Sequence, residues 1–116
     1  MSAPRAYTDV MQELRSRFIQ RTIQQREQLK TLAAAGIAPA NLPEILHICH
    51  NLHGTAGVFD LAEIGDIAHQ AEDLGKILGQ TQPPALDPRW KELAVVIDNL
   101  CDLIAALPPR DLPDQA

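Results

Sequence analysis

Two stretches of helical apolar spacing meet at a break of only two residues. Leu42, Ile45, Cys49, Leu52 and Ala56 recur at threes and fours up to Phe59-Asp60, and Ile64, Ile67, Ala71, Leu74 and Leu78 resume that period directly afterwards. Helices joined by so short a turn must run antiparallel and lie side by side. The first of them opens with Asn41 as N-cap, Pro43 in the first turn and Glu44 at the third helical position, and is expected to end near Val58. Asp60 followed by Glu63 repeats the reciprocal capping signature for its successor.

An outer helix is expected on each side of this pair. A helix from about residue 8 to residue 35 is marked by an apolar stripe of Tyr7, at its threshold, and Met11, Leu14, Phe18, Leu29 and Leu32, with Thr22 and Gln25 as polar interruptions and Gly36 as the stop. Ile19 and Ile23 sit off that stripe, where they either widen the core face, the preferred reading, or form an exposed docking patch. After a linker at 79–86 with Pro83-Pro84, Asp87 reads as an N-cap and Pro88 as the first helical residue. Trp90, Leu93, Ile97, Leu100, Ile104 and Leu107 then alternate threes and fours, which favours near-parallel bundle packing, until Pro108-Pro109. With 46% hydrophobic but only 3% aromatic residues, the chain favours helices packed through Leu, Ile and Ala over a sheet. The expectation is an all-α, antiparallel up-down four-helix bundle over residues 1–107, followed by a disordered tail at 108–116.

Several function classes fall away on composition. A net charge of −5, with no basic residues interleaved with stacking aromatics, argues against a nucleic-acid partner. No apolar run is long enough to cross a bilayer and the N-terminus lacks a signal-peptide core, so a cytoplasmic protein without membrane contact is expected. Cys49 and Cys101 show no metal-binding spacing and read as reduced core thiols. Arg15, Arg17, Arg21, Arg26 and Lys30 crowd the first helix, either as a solvated face or as a surface that steers an acidic partner.

The chemistry concentrates in the run His50-Asn51-Leu52-His53-Gly54-Thr55-Ala56-Gly57-Val58-Phe59. On a helix, His50, His53, Gly54 and Gly57 share one side, next to the apolar stripe rather than within it. A helical side chain covers the turn N-terminal to its own Cα, so Gly54 leaves His50 uncovered. Glycine inside a helix costs about 1 kcal/mol relative to alanine, and two beside one histidine suggest that access there outweighs local stability. Residue counting along antiparallel neighbours sets His69 and Glu72 roughly opposite His50. His47 reads as a solvated residue, and Thr55 as a hydroxyl bonding back to its own helix.

The motif H-x-L-H-G-T-A-G-x-F, with Ile64, Ala68, His69 and Glu72 at matching offsets, resembles the histidine phosphotransfer (HPt) domains of two-component phosphorelays. The version at the N-terminus of chemotaxis histidine kinases is the most similar. The motif covers residues 50–72, and the helical layout is compatible with the family from about residue 8 to residue 107. The resemblance implies that His50 is the phosphoacceptor and Glu72 the carboxylate that orients its ring. It also implies that His53 occupies a position usually held by Lys or Arg for phosphate contact, and that His69 is a neighbouring second-sphere or phosphate-contacting histidine. His53 is the departure, because an imidazole is only partly charged near neutral pH, which bears on phosphohistidine lifetime and pH dependence. The implied partners are a response-regulator receiver domain and a histidine or hybrid kinase.

Given the roles this resemblance implies, the expectation is that Nδ1 of His50 donates to Glu72 while Nε2 attacks phosphorus. No nucleotide-binding motif or Mg²⁺ carboxylate cluster is visible, so the expectation is a monomeric phosphocarrier without kinase activity, cofactor or resident metal. Mg²⁺ would belong to the receiver. Two alternatives stand beside this reading. His50, His53, His69 and Glu72 could make an inter-helix zinc site, or the chain could be a non-transferring interaction module that inhibits a phosphorelay.

Overall fold

The computed structural model describes residues 7–80 and 87–107. Helix α1 spans Tyr7–Ala34 and stops where Gly36, at φ +94°, supplies a left-handed residue that glycine adopts without a steric penalty. Helix α2 spans Leu42–Ala56 and tightens into a 3₁₀ turn at Gly57–Phe59. Helix α3 spans Ala62–Gln80 and α4 spans Arg89–Ala105. These four helices, with no strand among the described residues, form the expected all-α bundle: α2 packs on α3, α3 on α4 and α4 on α1, and α1 closes the ring against α2. Leu42 and Leu46 lie against Gly75, whereas Ala56 lies against Gly65, so the start of α2 meets the end of α3 and the pair is antiparallel.

The core is built largely from the predicted faces, although in α3 Ala68 joins it and Ile67 and Leu74 are only partly buried at its edge. Ile45, Cys49, Leu52 and Ala56 of α2, Ala68, Ala71 and Leu78 of α3, and Leu93, Leu100 and Ile104 of α4 are buried. In α1, Ile19 is fully buried and Ile23 packs on the core at its edge, so both belong to the core face. Thr22 and Gln25 are buried too, and the Thr22 hydroxyl donates to the Phe18 carbonyl at 2.8 Å. The face of α1 therefore turns away from Leu14, which is 43% exposed instead of lying on the stripe. The cause is length. Arg15 Nε donates to the Phe59 carbonyl, and Phe18 stacks on Phe59 with centroids 5.2 Å apart, so residues of α1 before Arg15 run past the turn that ends α2.

Both capping readings around α2 need correction. Asn41 has a helical backbone and makes no cap bond to α2. Its Oδ1 instead accepts from the Ala38 amide at 2.9 Å, and its Nδ2 donates to the carbonyls of Gly36 and Leu32, which the end of α1 leaves without helical partners. Asp60 is left-handed, at φ 60°, rather than in the extended conformation of an N-cap. It reverses the chain so that the Leu61 amide reaches back to the Ala56 carbonyl at 3.0 Å, and α3 starts at Ala62. In α4 the N-cap position falls on Pro88 and Arg89 is the first helical residue, one later than expected, while Asp87 accepts the Arg89 amide at 2.9 Å from just outside the helix. α3 continues through Gly79 to Gln80, and the Pro83-Pro84 linker, the Pro108-Pro109 stop and the expected tail lie outside the described residues.

Candidate functional site

Small residues bring α2 and α3 together. A Cβ at Gly65 would stand 3.3 Å from that of Ala56, and one at Gly75 would overlap Leu46 and stand 3.3 Å from Leu42. These two glycines bracket His69 and Glu72, and they fix how near α3 passes to α2. Neither was singled out in the sequence. A glycine inside a helical apolar period is the signal that could have found them.

Across this close interface, His50 and Glu72 meet. Nδ1 of His50 is 2.8 Å from Oε2 of Glu72. The imidazole is 68% exposed, whereas the carboxylate side chain is only 5% exposed. An ionised carboxylate can only accept, so Nδ1 carries the proton and Nε2 keeps a lone pair on the exposed ring. Gly54 and Gly57 flank this face with open space where a Cβ would stand.

Glu72 collects three basic groups. Lys76 Nζ lies 3.1 Å from Oε2, and His53 Nδ1 lies 3.4 Å from Oε1. Burial alone would push this carboxyl up, but hydrogen bonds and charge from His50 and Lys76 outweigh it and hold the group below the usual carboxylate value. Lys76 escaped the sequence reading because a Glu-Lys pair four residues apart is ordinary on a helix surface. That same spacing from Glu72 was the available signal.

His69 sits on the far side of His53. Its Nε2 pairs with Asp73 at 3.2 Å, and its ring tilts against that of His53 with centroids 4.2 Å apart. Of the four residues considered for zinc, His53, His69 and Glu72 bring one ligand atom each within 4.8 Å of one another, and His50 is not in that group. His47 is exposed and within 3.4 Å of Asn51, and the Thr55 hydroxyl bonds back to the Asn51 carbonyl, as read. Both cysteines are free and buried. Burial, together with the nearby Glu72 charge, pushes the Cys49 thiol up to about 12, which removes it as a nucleophile beside His50. The basic face of α1 divides: Arg15 and Arg26 donate to the carbonyls of Phe59 and Cys101, while Arg17, Arg21 and Lys30 are exposed.

A solvent-facing imidazole backed by a buried carboxylate, carried on two antiparallel helices of a four-helix bundle, defines a class of protein. Residues 13–107 match the Hpt domain family, and the chain belongs to it. Comparison with curated proteins and with solved structures found no match. No helix among the described residues is long and apolar enough to cross a membrane.

Proposed function

We propose that this chain is a phosphocarrier of a two-component phosphorelay, accepting a phosphoryl group on Nε2 of His50 and exchanging it with an aspartate of a receiver domain. The observation that carries this reading is the 2.8 Å contact between Nδ1 of an exposed imidazole and a buried carboxylate. In the transfer step the Nε2 lone pair attacks the phosphorus of the receiver's aspartyl phosphate. As the N–P bond forms, the bond from phosphorus to the aspartyl oxygen breaks, and that carboxylate leaves with the electron pair. Nδ1 keeps its proton in the bond to Glu72, which offsets the positive charge arriving on the ring. The reverse transfer retraces this path.

In this reading His53, one turn beyond His50, contacts a phosphate oxygen through a hydrogen bond that strengthens on protonation. Gly54 provides steric access, and His69 supports His53 from α3. His69 and Glu72 at these offsets favour the chemotaxis-kinase type of the family. The donor kinase is a separate catalytic unit, Mg²⁺ comes with the receiver, and a cytoplasmic monomer is the form in which the site works. The test is incubation with a panel of phosphorylated receivers, followed by assay for acid-labile, base-stable label. Transfer that disappears in His50→Gln with helicity intact is expected. Binding without transfer by any cognate receiver would instead support the inhibitor reading.

A further inference from the structure

The carboxylate of Glu72 has two oxygens, and only Oε2 serves His50 and Lys76. Oε1 faces His53 Nδ1 at 3.4 Å, and His53, His69 and Glu72 each bring one ligand atom within 4.8 Å of the others. Two ligands bound at about 2.0–2.1 Å to a tetrahedral Zn²⁺ stand roughly 3.4 Å apart, so the edge between His53 and Glu72 already has the required length. His69 is 49% exposed, which leaves its side chain room to turn toward this pair. Gly65 and Gly75 hold the two helices in close approach on either side of this cluster.

We infer that His53 of α2 with His69 and Glu72 of α3 form an inter-helix Zn²⁺ site beside the imidazole of His50. Two imidazoles and one carboxylate, with a fourth position left for water, suit zinc, whereas Mg²⁺ requires oxygen ligands. Asp73, now paired with Nε2 of His69, stands where a carboxylate can orient a metal-bound imidazole through its other nitrogen once the ring turns. Lys76 opposes the ion, since its ammonium shares the same carboxylate, and this makes the site reversible rather than structural. A bound ion takes His53 and draws charge from Glu72, so metal loading and the state of His50 are linked through one side chain. The site does not depend on whether His50 is ever phosphorylated.

The experiment is calorimetric titration of the untagged full chain with Zn²⁺ in non-chelating buffer near neutral pH, with excess Mg²⁺ present. One Zn²⁺ per chain is expected, with the dissociation constant raised by at least about tenfold in His53→Asn and in His69→Asn. His47→Asn should retain the wild-type affinity, and Lys76→Met should tighten it. The substituted histidines are exposed, and unchanged helicity certifies each variant. Binding no tighter than millimolar, or binding indifferent to His53 and His69, overturns the assignment.

Discussion

Glu72 shows how much one side chain can depend on its surroundings. It is a buried acid held ionised by His50 and Lys76. Its carboxyl is lowered relative to an unfolded chain, so these bonds stabilise the fold fully above the ordinary carboxylate value and lose that effect as pH falls through the lowered one. The melting temperature of the wild type should therefore exceed that of Glu72→Gln near neutral pH, and the difference should shrink on acidification. In transfer assays, Glu72→Gln should slow phosphorylation of His50 by about 100-fold, since an amide cannot stabilise the charged ring as a carboxylate does. The His50–Glu72 contact was legible because both residues lie on faces fixed by helical counting. The other partners of Glu72 were not. Lys76 looked like an ordinary surface pair, and which residue His53 would face depended on side-chain directions that spacing alone does not determine.

At the scale of helices, the chain uses its glycines in two different ways. Gly54 has open space around its missing Cβ, whereas Gly65 has the Cβ of Ala56 in close range. Gly54→Ala should thus stabilise the protein by up to about 1 kcal/mol through helix propensity, while Gly65→Val should cost about 1–3 kcal/mol by forcing α2 from α3. Denaturant melts separate the two outcomes. Gly54→Leu should leave the fold unchanged yet obstruct transfer, because its side chain would lie over His50. Helix existence and order were readable from periodicity, down to the stop at Gly36. The ends of α2 were misread for one reason. A capping signature records residue types, and both Asn41 and Asp60 are equally suited to closing loops, which is the role tertiary structure gives them.

The whole molecule combines an acidic chain with a basic first helix. Arg15 and Arg26 tie α1 to the turn after α2 and to α4, so part of the charge run is structural. Arg21 lines a shallow groove between α1 and α2 with His47 and Asn51, one turn or less from His50 along α2. Arg21→Glu should weaken association with an acidic receiver and reduce its salt dependence, without altering helicity. Binding measured at two ionic strengths checks this. The bundle and its ring order follow from apolar periods and short connections. The outward turn of Leu14 does not, because where α1 outruns its neighbours depends on how far each of them extends.

The most direct measurement is nitrogen and phosphorus NMR of the imidazoles in the chain phosphorylated with phosphoramidate. The proton of His50 should reside on Nδ1 before the reaction and remain there afterwards, with phosphorus bonded to Nε2. Phosphorus on Nδ1, or on any residue other than His50, would contradict the assignment of Glu72 as the group that selects the nucleophile.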